Sequence, residues 1–212
     1  MTGLQASLLD DASEVTVGRL GETVARRPLT DGAWVDLRRG WIGGADTLFE
    51  RLQHNVEWHA ERRPMYDRVV DVPRLLHFVD EHEPLPDASL VEAKRALDAH
   101  YAAELGERFA TAGLCLYRDG RDSVTWHGDR IGRGNTHDTM VAIIVLGAAR
   151  PLMLRPRPGV ATGGATIRLD LGHGDLVVMG GSCQRTWEHA VPKSAKANGA
   201  RISVQFRPRG VR

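Results

Sequence analysis

The run Thr125-Trp126-His127-Gly128-Asp129 places a histidine and an aspartate two residues apart. On an extended strand, positions two apart project to the same face, so His127 and Asp129 point together. One imidazole and one carboxylate are two of the three ligands of a facial triad, which holds iron(II) with open coordination positions on one side. The third ligand must come from another strand. His189, in Arg185-Thr186-Trp187-Glu188-His189-Ala190-Val191-Pro192, is the candidate, 60 residues beyond Asp129. His-x-Asp is also a common incidental pattern, and His189 alone fits a packed or an exposed histidine equally well.

The segment Arg201-Ile202-Ser203-Val204-Gln205-Phe206-Arg207 alternates polar and apolar residues throughout. If Ile202, Val204 and Phe206 pack against a helical layer, then Arg201, Ser203, Gln205 and Arg207 face a barrel interior. Two enclosed arginines need anionic partners, because an unpaired buried charge is costly. A dicarboxylate cosubstrate supplies such partners through bidentate pairing. An edge strand with its polar face in solvent is the alternative. Taken jointly, the metal donors and the arginine strand point to a 2-oxoglutarate-dependent oxygenase.

These residues need a scaffold of strands. After Leu105, short apolar or alternating runs recur near 113–118, 123–129, 139–147, 151–156, 165–171, 175–180, 185–191 and 200–207, separated by turn-forming clusters. Eight short strands at this spacing suggest a sandwich, jelly roll or barrel. Upstream, Ala33-Trp34-Val35-Asp36-Leu37 alternates like a strand. Helical spacing of Phe49, Leu52 and Val56 predicts a helix from about Asp46 to His59. A second helix starts after Pro86 with Asp87 as N-cap, burying Leu90, Ala93, Leu97 and Tyr101. The stretch between them, from Arg62 through Val72-Pro73-Arg74, reads as irregular. The chain is expected to be one domain: 1–110 a helical support, 111–212 a β-rich core.

Composition narrows the class. With 212 residues, 42% hydrophobic and 26% charged, the chain can bury a real core and is not of the disordered type. No apolar run is long enough for a membrane-spanning helix, and the first 15 residues lack a signal-peptide pattern. Cys115 and Cys183 make neither a disulfide framework nor a four-ligand zinc site and read as buried thiols. A cytoplasmic setting is expected. Residues 1–100 carry 12 basic and 18 acidic side chains, net −6, and residues 101–212 carry 16 and 9, net +7. The basic half is compatible with a nucleic-acid face, and an arginine-rich composition fits a GC-rich genome equally well.

The sequence resembles the AlkB family of iron(II)- and 2-oxoglutarate-dependent nucleic-acid dealkylases. The resemblance rests on Leu116-Tyr117-Arg118-Asp119-Gly120, His127-Gly128-Asp129, Ile144-Val145-Leu146-Gly147, His173 through Gly181, Trp187 through Pro192, and the strand from Arg201 to Arg207. It covers residues 110–210 strongly and the segments around Trp34, Trp41 and Val72-Pro73-Arg74 more weakly.

The resemblance implies an α+β fold with a double-stranded β-helix (jelly-roll) core supported by N-terminal helices. It implies His127, Asp129 and His189 as ligands of Fe(II). It also implies Tyr117, Arg201 and Arg207, with Ser203 between the arginines, as the 2-oxoglutarate site. Met65 and Tyr66 fall where relatives place a nucleotide-recognition lid, and Arg74 and Arg130 fall near the substrate. The implied partner is alkylated nucleic acid, DNA with a single-stranded preference, acted on by a monomer with no membrane involvement; a basic rim of Arg130, Arg133, Arg155 and Arg157 would then contact its phosphates.

The sequence departs from the family at three places. Cys115 and Ser203 stand where the family has asparagines. Arg130-Ile131 follows Asp129 where DNA-repair relatives often carry acids that contact the damaged base. The implied activity is oxidative demethylation of N-alkylated bases. The alternatives are the same chemistry on RNA or another substrate, or a non-catalytic nucleic-acid-binding barrel. His173 reads as a structural turn residue, and His54 with His59 as a poor ligand pair on a helix.

Overall fold

A computed structural model describes residues 14–65, 68–197 and 199–211. In chain order the strands are β1 (Thr16–Val17), β2 (Ala25–Pro28), β3 (Ala33–Arg38), β4 (Ile42–Gly43), β5 (His59–Met65), β6 (Arg68–Val79) and β7 (Phe109–Tyr117). They continue with β8 (Val124–His127), β9 (Val141–Gly147), β10 (Arg150–Pro156), β11 (Ile167–Leu171), β12 (Leu176–Gly181), β13 (Trp187–Val191) and β14 (Arg201–Pro208). Among the described residues three α-helices join them: α1 (Ala45–Asn55), α2 (Ala88–Leu105) and the single turn α3 (Cys183–Thr186).

Twelve of these strands assemble into an eight-stranded antiparallel sheet, ordered β2-β3-β12-β9-β14-β7-β6-β5, and a four-stranded one, ordered β11-β10-β13-β8, while β1 pairs with β4. Period-two alternation sends the two faces of the central strands into two cores. Ala142, Ile144 and Leu146 of β9, with Ile202, Val204 and Phe206 of β14, pack with Leu48, Leu52, Leu90 and Leu97 of the helices. Val141, Ile143 and Val145, with Val177 and Met179 of β12, face the smaller sheet. Strands buried on both faces read as continuous apolar runs, as Val141–Gly147 does. This is the expected jelly-roll arrangement, and all eight downstream strands are present.

The second helix begins as expected, with the Asp87 carboxylate accepting the Ser89 N–H at 2.8 Å. Gly106, at φ 74°, ends it in a left-handed cap. The first half departs from the helical reading in two ways. α1 stops at Asn55, because Val56 is already extended, so His59 lies on β5 and not on the helix. The stretch read as irregular is a hairpin of β5 and β6, with Arg62 opposite Asp71 and Pro64 opposite Val69. Its prolines are tolerated because β5 is the sheet edge and β6 joins β7 only from Leu75 onward. Among the described residues, no helix is long and apolar enough to cross a membrane.

Candidate active site

The open space between the two sheets is lined from both sides. β14 contributes Arg201, Ser203, Gln205 and Arg207, and its neighbour β7 contributes Cys115 and Tyr117. The smaller sheet contributes His127 and His189, and Asp129 and Arg74 complete the wall. The expected alternation of β14 therefore holds: its apolar face meets the helices and its polar face lines the cavity.

His127 and His189 are opposite one another in the β8–β13 register, with ring centroids 4.2 Å apart. The donor atoms of His127, Asp129 and His189 all lie within 4.8 Å of one another. Asp129 reaches this position by a different route from strand alternation, because β8 ends at His127. The Asp129 N–H donates to Gln184 Oε1 at 2.9 Å, so α3 fixes the turn. Gly128 is required there, since a Cβ would stand 2.3 Å from the Gln184 carbonyl oxygen. Sequence reasoning missed Gln184. It lies 55 residues from Asp129, in a one-turn helix with no distinguishing pattern.

The electrostatics suit a cation. The Thr125 carbonyl can only accept, so the His127 Nδ1 2.8 Å away carries the proton and Nε2 keeps its lone pair. Burial pulls both histidines below their usual range, against the opposing pull of Asp129. His189 falls to about 3, with His127 adding to the effect of burial. Burial alone would raise the Asp129 carboxyl, but Arg207 and the two histidines hold it well below the usual carboxylate range. Two neutral imidazoles and one carboxylate are the protonation states a divalent metal requires.

Arg201 and Arg207 behave differently. Arg207 Nε donates to Asp129 Oδ2 at 2.8 Å, so the protein itself supplies its anionic partner. Arg201 is 1% exposed, and its Nε and Nη1 have no hydrogen-bond partner among the described residues. It lies across the β14–β7 register from Tyr117, with its guanidinium carbon 5.2 Å from the ring centroid. Buried donors without acceptors are costly. A carboxylate delivered into the cavity removes that cost, so the residues fit 2-oxoglutarate. Arg150, another buried arginine the sequence did not flag, is 5.5 Å from the same ring and donates to the carbonyls of Asp119, Asp122 and Pro192. It ties the β7–β8 and β13–β14 connections together behind Tyr117.

The 2OG-Fe(II) oxygenase superfamily pattern matches residues 46–207, about three-quarters of the chain. The chain belongs to the 2OG-Fe(II) oxygenase superfamily. Members of this superfamily work with Fe(II) and 2-oxoglutarate, and this chain carries a donor set that fits both.

The chain is 29% identical over 201 residues to the bovine (Bos taurus) alpha-ketoglutarate-dependent dioxygenase alkB homolog 3, covering 84% of this chain and 66% of that protein. It is 36% identical over 135 residues to the Arabidopsis thaliana DNA oxidative demethylase ALKBH2, covering 54% and 42%. These relatives bear out the AlkB resemblance. The chain spans 64–66% of the length of the mammalian homolog 3 proteins it matches. The fold is shared with the solved structure of OsALKBH1, at a TM-score of 0.57 and 15% identity, covering 85% of this chain and all of that one.

The remaining expected residues fall as follows. Arg74 lines the cavity and donates to the Ser123 carbonyl at 3.2 Å. Met65 ends β5, and Tyr66 lies outside the described residues. The expected basic rim is largely neutralised by the chain's own groups. Arg155 pairs with Glu188 at 2.8 Å and stacks 4.4 Å over Trp126, and Arg130 lies 3.8 Å from the same carboxylate. Arg133 pairs with Glu107, and Arg157 donates to the Arg185 carbonyl. Cys183 is a buried thiol as expected, pushed up to about 12 by burial, with Asp129 adding to it. Cys115 instead faces the cavity. His173 is structural, its Nδ1 accepting the Gly147 N–H at 2.6 Å.

Proposed function

We propose that this protein is an oxidative dealkylase that removes alkyl groups from N-alkylated bases of nucleic acid. The carrying observation is one cavity that holds the His127–Asp129–His189 donor cluster and the unsatisfied donors of Arg201. The name of the Arabidopsis thaliana relative, a DNA oxidative demethylase, supports nucleic acid as the substrate class. When bound, Fe(II) and 2-oxoglutarate would let dioxygen hydroxylate an N-alkyl carbon, with one oxygen atom going to that carbon and the other leaving in succinate as 2-oxoglutarate loses carbon dioxide; the resulting hemiaminal would release an aldehyde and the free base.

The chain's own residues do the rest. His127, Asp129 and His189 hold the metal on one side. Arg201 and Tyr117 bind the cosubstrate carboxylate, with Ser203 beside them. Arg207 keeps Asp129 ionised and oriented. The apolar wall of Ile143, Leu152, Leu171 and Val191 keeps water out. A base must leave its stack to reach this cavity, which favours single strands and weakened pairs. We assign DNA as the substrate, a monomer as the acting form, and a reducing, cytoplasmic compartment, which suits the free thiols of Cys115 and Cys183.

The segment after Asp129 favours one variant of this reading. Arg130 turns toward Glu188, and Ile131 is 72% exposed, so no carboxylate follows the ligand pair in sequence to contact a base. The same chemistry on RNA or another substrate is the second reading. The test is iron-loaded protein with 2-oxoglutarate and single-stranded DNA carrying 1-methyladenine or 3-methylcytosine, read by mass spectrometry with a His127→Ala control. Loss of the methyl group in the wild type alone is the expected result. Succinate without demethylation transfers the proposal to another substrate. No turnover by protein with verified iron occupancy overturns it in favour of a non-catalytic barrel.

A further inference from the structure

The cavity floor between Arg201 and Arg207 is built from two register pairs, Ser203 opposite Cys115 and Gln205 opposite Gly113. Gln205 is 8% exposed, and its carboxamide is held on both sides. Its Nε2 donates to the Ser203 carbonyl at 3.0 Å and to the Ser203 hydroxyl at 2.5 Å. Its Oε1 lies 3.7 Å from Cys115 Sγ, which donates to it. The orientation of the amide is fixed by chemistry, since a backbone carbonyl only accepts and therefore demands the nitrogen. Gly113 makes the room: a Cβ there would stand 3.1 Å from Gln205 Oε1 and 2.8 Å from Arg207 Nη1.

This arrangement sets a proton. With its lone pair engaged by Gln205 Nε2, the Ser203 hydroxyl keeps its single hydrogen for an acceptor on the cavity side. Tyr117 is one row away on that face, beside Arg201. Burial raises the Tyr117 phenol and the Cys115 thiol adds to it, while Arg201, Arg74 and the Ser203 hydroxyl act in the opposite direction. Ser203 therefore presents a donor to the phenol oxygen, and the phenol proton is left to point at a carboxylate.

We propose that Gln205 is a positioning residue for 2-oxoglutarate: held between Cys115 and Ser203, it orients the Ser203 hydroxyl toward the Tyr117–Arg201 carboxylate site. The proposal rests on the reading of this cavity as the cosubstrate site. It also accounts for the pairing of Cys115 with Ser203. Neither side chain carries an amide, and Gln205 delivers one between them from the neighbouring row.

The test is titration calorimetry of 2-oxoglutarate into Mn(II)-loaded protein, which reads binding without turnover, together with Mn(II) affinity and thermal unfolding. Gln205→Met, close in size but unable to hydrogen-bond as an amide, is expected to weaken 2-oxoglutarate about tenfold, the loss of roughly one buried hydrogen bond, with Mn(II) affinity unchanged. Cys115→Ala is expected to weaken it less, because a thiol is a weak donor. The decisive comparison is the double-mutant cycle with Ser203→Ala: if Gln205 acts through the Ser203 hydroxyl, Gln205→Met costs about tenfold in the wild type and little further once that hydroxyl is gone. Equal losses from Gln205→Met with and without the hydroxyl overturn positioning through Ser203. Wild-type affinity in Gln205→Met overturns the inference while leaving the cavity's assignment intact. A wild-type protein that binds Mn(II) but not 2-oxoglutarate overturns both.

Discussion

Arg207 and Asp129 are 78 residues apart in sequence, yet the Arg207 Nε lies 2.8 Å from Asp129 Oδ2 inside the cavity. The two carboxylate oxygens take different roles. Oδ2 accepts from Arg207, and Oδ1 faces His127 Nε2 at 3.9 Å. An arginine here keeps the carboxylate charged before any metal arrives and points its free oxygen at the histidines.

Arg207→Met is expected to cost about 3–5 kcal/mol of stability in metal-free protein, the range for leaving one partner of a buried ion pair alone. Urea unfolding measures it. Mn(II) added to the variant should recover part of the loss, since the metal replaces the missing cation. Equal stability of variant and wild type would show that Asp129 needs no partner.

The buried histidine at 189 predicts an acid limb. Its folded-state value is depressed to about 3, while the unfolded chain titrates near 6.5. The unfolded state therefore binds the proton first, and its stabilising contribution, complete above about pH 6.5, is lost as pH falls toward about 3. Between about pH 7 and 5 the metal-free protein should lose about 2 kcal/mol from this group. His189→Asn should flatten that interval in urea unfolding, and an unchanged slope would remove His189 as the cause.

Gln184→Leu removes the acceptor of the Asp129 N–H without touching any metal donor. A buried N–H left unsatisfied costs about 1–3 kcal/mol. Loosening the orientation of a ligand typically lowers metal affinity about 10–100-fold. Mn(II) titration should show that drop while far-ultraviolet circular dichroism stays that of the wild type.

Gly128→Ala tests the same turn from the backbone side. The added methyl meets a carbonyl oxygen 2.3 Å away, and a backbone group cannot move aside as a side-chain tip can. A loss of about 1–3 kcal/mol and weakened Mn(II) binding are expected together. Retention of both would show that α3 shifts freely.

The elements whose logic is local can be read directly from the order of residues. The perfect alternation of Arg201–Arg207 required a polar face and an apolar face, and the structure gives them to the cavity and the helices. The donor types at His127, Asp129 and His189, the eight downstream strands and the Asp87 cap were legible for the same reason: period, punctuation and chemical type are written along the chain. Tertiary structure decided the rest. The residue 59–79 hairpin was hidden because an edge hairpin is charged and proline-interrupted, and its pairing depends on a neighbour. Asp129 points at the metal site through Gln184, not through strand alternation, and Arg207 takes Asp129 as its anion and so leaves Arg201 with open donors. Which charge meets which is fixed only when β14, the turn after β8 and α3 come together, because pairing energies depend on distance in space and sequence separation carries no record of it.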